Sequence, residues 1–390
     1  MRRGLTFQEA VFVAALPYRK SVYQSGGFAQ SPGPGGVIVL TAEAAGASDL
    51  FSEPASVAWE EFLRRHFTKR DLIRAAGEAA SYAGDELAGP NASWYSRELE
   101  DRTGGGRVGF VSVWDADYPV RLRNCYDAPP VLFYCGAEAP RESRPGSRRL
   151  RYAEPRPERA VLREAVGMVG IVGTRQAHPF AGEAVRAYVR DLARDCTDRA
   201  GPVIVSGLAL GIDRIAHEAA LECGLPGIAV LGAGLLHAGP RANLDLPRRA
   251  REANASFVLL SEFPPHTPAR AAHFPRRNRV IGGLVEAVAV LQAPLKSGAM
   301  ITARFALDEG RDVLAFDHDV LRAASGSNDG ARALLEAGAT PIVLPELEAR
   351  LVKEPPFGAA GRRARLALWK RASLGQGLRW LGGRYYLEAG

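Results

Sequence analysis

Between Val169 and Leu344 the chain alternates short apolar runs with amphipathic stretches. That alternation restricts its fold more than any other feature of its 390 residues. Strand-like runs fall at 169–172, 203–206, 228–231, 257–261, 287–291, 313–316 and 342–344. Helix-like stretches lie between most of them, at 181–196, 213–223, 244–254, 299–309 and 330–337. Short β-branched runs without polar alternation, separated by helices, predict a parallel sheet covered on both faces. Two further strands are expected at 108–113 and 131–134. Ligands of such sheets bind outside the carboxyl ends of the strands, where loops feed helix N-termini.

The expected strand ends carry a consistent chemistry. Gly173 and Arg175 follow the first run, and Ser206 and Gly207 the second. Gly232 and Gly234 follow the third, and Ser297, Gly298 and Thr302 the fifth. Glycines let a backbone approach a ligand closely, and hydroxyls and guanidiniums bind phosphate. Asp213 reads as a cap of the helix that carries His217, and His217 as a packed side chain. Glu262 reads as an arginine partner rather than a general base. No Gly-x4-Gly-Lys-Ser/Thr string and no Gly-x-Ser-x-Gly elbow occurs, which removes the P-loop and serine-hydrolase classes.

After the fourth run comes His273-Phe-Pro-Arg-Arg-Asn-Arg279. Pro275 predicts a helix start, and Arg276, Arg277 and Arg279 gather cations beside it. Guanidiniums and free N–H groups at a helix start suit a polyanion. The net charge of +7 agrees with such a partner. Most of that excess lies in the last 38 residues, where eight cations face Glu354 and Glu388. With only five lysines among its 50 cations, the chain has a bias to arginine that also fits plain genome composition.

Other classes find little support. No run approaches the ~18 apolar residues of a membrane span. Met1–Leu16 resembles a signal peptide only faintly, since Gln8 and Glu9 interrupt it, and it reads as a helix of a cytoplasmic protein. The four cysteines and seven histidines show no metal-ligand spacing, so neither metal nor cofactor is expected.

Taken in order, several strings resemble the DprA/Smf family of DNA-processing proteins. They are Gly-Ile-Val-Gly-Thr-Arg (170–175), Ser-Gly-Leu-Ala-Leu-Gly-Ile-Asp (206–213) and Ala-Val-Leu-Gly-Ala-Gly (229–234). Ser-Glu-Phe-Pro-Pro (261–265), Phe-Pro-Arg-Arg-Asn-Arg (274–279) and Lys-Ser-Gly-Ala-Met-Ile-Thr-Ala (296–303) follow, and Asp117-Tyr118-Pro119 precedes them. The resemblance covers about 108 to 344.

It implies an α/β, extended Rossmann-like, doubly wound and mostly parallel sheet at 106–347, with a loop or insertion at 137–160. A smaller helical N-terminal region (1–105, degenerate SAM-like) and a short basic C-terminal tail (348–390) would flank it. It further implies sequence-independent binding of single-stranded DNA without cleavage, loading of the recombinase RecA, and a homodimer. Carried over by position, Gly173, Arg175, Ser206, Gly207, Arg276, Arg277, Asn278, Arg279, Ser297, Gly298 and Thr302 would hold phosphates. Phe274 would stack on a base. Leu210 stands where the family commonly has arginine, and Gln292 where it commonly has glutamate. A phosphoribohydrolase-like enzyme on a related fold and a diverged, non-binding scaffold are the alternatives.

Overall fold

The computed structural model describes Ala75, residues 108–136 except 114 and 116, and residues 167–194, 201–253, 255–322 and 327–349. Beyond these it describes 351–352, 368, 371–372, 378–381 and 384–387. The expectations for 1–105 and for the 137–160 insertion therefore fall outside the described residues, Ala75 apart.

In chain order the elements are β1 (Val108–Ser112), α1 (Val120–Arg123), β2 (Val131–Gly136), β3 (Met168–Gly173) and α2 (Pro179–Arg194). Next come β4 (Val203–Ser206), α3 (Ile212–Glu222), β5 (Gly227–Val230), α4 (Asp245–Glu252), β6 (Phe257–Ser261) and α5 (His273–Leu284). Then follow β7 (Ala287–Gln292), α6 (Gly298–Asp308), β8 (Asp312–Ala315), α7 (Asp319–Arg322), α8 (Asp329–Glu336) and β9 (Thr340–Pro341). Last are α9 (Pro345–Ala349), β10 (Leu351–Val352), β11 (Leu378–Leu381) and β12 (Arg384–Leu387). The expected run 342–344 is displaced: the strand ends at Pro341, and Ile342 and Leu344 are instead buried beyond it.

The chain divides into two compact units. In one, which holds the described residues up to Gly136 and Ile228–Leu284, the strand order is β1-β2-β6-β5. Here β2 runs antiparallel to both β1 and β6, pairing Phe133 with Phe110 and with Ser261. All six residues of β2 are buried. Tyr118 is buried too, and its hydroxyl donates to Pro129 O at 2.6 Å, which pins the segment between β1 and β2. α5 crosses α1 so closely that a Cβ on Gly283 would lie 2.7 Å from Leu122 Cδ1.

In the other unit (Val166–Gly227 and Val285 onward) the order is β4-β3-β7-β8-β9, and each neighbouring pair runs parallel. This is the alternation of the sequence in three dimensions. The core joins Ile171, Ile204, Ala289 and Leu291 of the strands to Phe180, Val185 and Val189 of α2 and Ile212 and Ala216 of α3. Burying each such aliphatic or aromatic side chain contributes about 1.5–3 kcal/mol. Phe180 also meets the rings of His318 and Phe316 at 4.6 and 6.3 Å. The sheet is mixed and mostly parallel, which gives the α/β class expected. In the basic tail, β10, β12 and β11 form a separate antiparallel sheet. No helix among the described residues is long and apolar enough to cross a membrane.

Candidate functional site

Parallel strands place all their carboxyl ends on one side, so the loops after β4, β3 and β7 emerge together. After β3, Gly173 is required by packing: a Cβ there would fall 2.5 Å from Ile212 Cγ1 and 2.8 Å from Gln292 O. Thr174 N–H donates to Gln292 O at 2.8 Å, and Thr174 O accepts from Ile212 N–H at 3.1 Å. Gln292 Oε1 accepts from His178 N–H at 2.8 Å. The backbone carbonyl and the buried carboxamide of Gln292 thus hold the turn from two directions, and the Arg175 side chain is exposed. His178 Nδ1 accepts from Phe180 N–H at 3.1 Å, and burial lowers the pKa of the ring below 6.5.

After β4 the hydroxyl of Ser206 points inward and donates to Ile171 O at 2.6 Å. Gly207 N–H donates to Asp213 Oδ2 at 3.1 Å, so Asp213 is structural as expected. Its place differs, however, for Gly211 occupies the N-cap and Asp213 stands in the first turn of α3. Gly211 has φ 76°, and a Cβ on it would sit 2.3 Å from Thr174 O. Leu208 adopts φ 56° with its side chain fully buried. Leu210, at the tip, is 44% exposed. His217 is buried in α3, the packed position expected.

After β7, Lys296 and Gly298 are exposed. Ser297 is the N-cap of α6 without a side-chain capping bond, and its buried hydroxyl makes no hydrogen bond. Thr302 is buried and donates back to Gly298 O at 3.2 Å. Asn328 braces this loop. Its Oδ1 accepts from Ala293 N–H at 3.2 Å, while Nδ2 donates to Phe316 O at 3.0 Å.

The arginine string lies in the other unit, and its placement differs from an open basic turn. α5 begins at His273, so 276–279 already lie within the helix. Arg277, Asn278 and Arg279 are buried at 6, 6 and 7% exposure. Arg277 Nη1 donates to Val230 O at 2.6 Å and its Nε to Asn278 Oδ1 at 3.0 Å. Arg279 pairs with Glu262 and, at 3.2 Å, with Asp127. Arg276 is the most open of the four, with its side chain 25% exposed. It meets Glu262 at 3.1 Å and lies 5.3 Å over the Phe263 ring. Glu262 is thus an arginine partner, as its sequence context implied. A buried charge needs an opposite charge and hydrogen bonds, which is why these guanidiniums turn to protein atoms.

Around this cluster, Ser261 Oγ donates to Ala233 O at 2.7 Å. Gly234 lies so close to the following segment that a Cβ would meet Pro264 O at 2.1 Å. Phe274, half-buried, lies against Gly232, where a Cβ would come within 2.9 Å of its ring. His273 stacks on Phe263 at 4.3 Å. Burial lowers its pKa, the cations Arg270 and Arg276 add to that effect, and a backbone hydrogen bond with Gly232 opposes it.

Each unit therefore holds one cluster. Gly173, Arg175, Ser206, Gly207, Ser297, Gly298 and Thr302 gather at the strand ends of one. Phe274, Arg276, Arg277, Asn278 and Arg279 gather in the other. Sequence reasoning missed Asp127, Asn328 and the bracing role of Gln292, whose partners are distant in the chain.

Comparisons with known proteins agree with this architecture. A family model described as DNA recombination-mediator protein A matches residues 159–349. DNA processing protein DprA of Bacillus subtilis is 34% identical over 235 residues, which span 60% of this chain and 68% of that one. Protein Smf of Escherichia coli is 40% identical over 179 residues, 46% of this chain and 45% of that one. The X-ray structure of DNA processing protein A from Streptococcus pneumoniae superposes with a TM-score of 0.55 at 26% identity, covering 88% of this chain and 97% of that one.

Proposed function

Because the chain belongs to the DprA/Smf family of DNA recombination-mediator proteins, we propose that it holds single-stranded DNA without cutting it or reading its sequence. In this reading it protects the strand and helps a RecA-type recombinase onto it, as a homodimer in the cytoplasm. The observation that carries the proposal is the shared edge after β4, β3 and β7. Tight turns there expose Arg175, Lys296 and Gly298 beside the start of α6. Phosphate contacts of this kind position a strand and carry no base information.

The assignment of residues divides by burial. Gly173, Arg175, Ser297, Gly298, Arg276 and Phe274 are proposed to touch DNA. Ser206, Gly207, Thr302, Arg277, Asn278 and Arg279 shape the surfaces that do so, since they are buried and their polar groups already bond within the protein. Asp213, beside the strand-end loops of one unit, and Glu262, in the arginine cluster of the other, are engaged with Gly207 N–H and with arginines respectively. That favours a binding protein over a nucleotide-processing enzyme.

The test is anisotropy of a labelled dT oligonucleotide and a matched duplex across a salt series. Tighter binding of the single strand, weakening steeply with salt and leaving the strand intact, is expected. No binding at low salt, or release of free base from nucleoside monophosphates, would replace this reading.

A further inference from the structure

Leu210 is 44% exposed after β4, Leu295 is 58% exposed after β7, and Ile301 is 40% exposed in the first turn of α6. β3 pairs in parallel with both β4 and β7, so all three side chains belong to the same edge. With strands ~4.8 Å apart, the ends of β4 and β7 are separated by about 10 Å. Exposed Arg175 and Lys296 lie on this edge with them.

A scattered surface leucine is ordinary. These differ in being held outward by anchored backbones. The loop of Leu210 is fixed by buried Leu208 and by the bond from Ile212 N–H to Thr174 O. The loop of Leu295 is fixed where Ala293 O accepts from Gly330 N–H at 2.8 Å and Asn328 accepts from Ala293 N–H. Apolar knobs interleaved with cations suit a chain that offers apolar faces and negative charges in turn. A single strand with splayed bases does so; a duplex presents its outer sugar-phosphate surface and stacks its base faces inside.

We propose that Leu210, Leu295 and Ile301 contact bases and sugars of the bound strand and set the preference for single-stranded over duplex DNA. Arg175 and Lys296 hold its phosphates. The inference rests on the single-strand reading above and deepens it.

The experiment compares the full chain with Leu210→Ser/Leu295→Ser and with Leu210→Met/Leu295→Met. Each is titrated into a labelled dT oligonucleotide and a blunt duplex at several salt concentrations. The serine variant is expected to lose about tenfold in single-strand affinity, with an unchanged salt slope and unchanged duplex binding. The methionine variant should bind like the parent. An unaltered single-strand affinity, or an equal loss on duplex, overturns the inference. A fall in melting temperature of the serine variant also overturns it, because these side chains would then be packing inward. If the parent itself fails to bind dT, the single-strand reading falls with it.

Discussion

Arg277 donates a 2.6 Å hydrogen bond from Nη1 to the carbonyl of Val230, the last residue of β5, and both groups are buried. A guanidinium in that position is a strut. Arg277→Ala should lower unfolding free energy by about 2–4 kcal/mol, from the lost charge-assisted bonds and the space left behind. Urea unfolding measures it. A variant with unchanged stability and abolished DNA binding would make Arg277 a ligand contact instead.

Arg279 offers a sharper case. Removing it leaves buried Glu262 with Arg276 alone of its two arginines and takes an ion-pair partner from part-buried Asp127, and breaking a buried pair costs about 3–5 kcal/mol. Arg279→Ala is therefore expected to be the most destabilising single change in the string. Arg279→Met with Glu262→Leu should recover most of the loss. Recovery would be absent if the two side chains did not act together.

Gly173→Ala forces a methyl to within 2.5 Å of Ile212 Cγ1 and 2.8 Å of a backbone oxygen. The oxygen belongs to a β-strand and has little room to move. A loss of about 1–3 kcal/mol is expected, as for overpacking in general. Calorimetry of the variant would show it as a lowered melting temperature.

Acid should weaken the fold through His178 and His273. Burial lowers both rings from 6.5, so the unfolded chain takes up protons that the folded chain refuses. Their contribution is complete above about pH 6.5 and is lost as pH falls toward the lower folded values. His178→Asn keeps an acceptor for Phe180 N–H but cannot titrate there. Its unfolding free energy should fall less steeply between pH 7 and 5 than that of the parent.

For Arg175, exposed at the turn after β3, the expected effect is on salt dependence. Arg175→Ala should reduce the slope of log affinity against log salt by about 0.7 for a single strand. Melting temperature should not change. An unaltered slope would remove Arg175 from the phosphate contacts.

Apart from the displaced run at 342–344, the alternation between Val169 and Leu344 foreshadows the strands and most of the helices between them within a residue or two, because buried parallel strands read as unbroken apolar runs. The antiparallel pairing of β2 with β1 and β6 was not legible, since strand partners leave no mark in local spacing. Nor was the burial of the arginines. Pro-Arg-Arg-Asn-Arg looks like an open cationic turn when Asp127 and the carbonyl of Val230 are out of view, even with Glu262 read as an arginine partner. The carbonyl and carboxylate of Asp127 lie 152 residues before Arg279, and Glu262 lies 17 before it. Gln292 was noticed as a departure from the family pattern, yet its hold on His178 spans 114 residues.

Leu208, a left-handed residue whose side chain is sunk in the interior, carries one more consequence. The awkward backbone of its turn is secured when the protein folds, well before any partner arrives. On the proposed reading, a visiting strand would meet a mould already set and have no loop to straighten. Association should accordingly be a single fast phase whose rate follows collision frequency, with no slower rearrangement behind it.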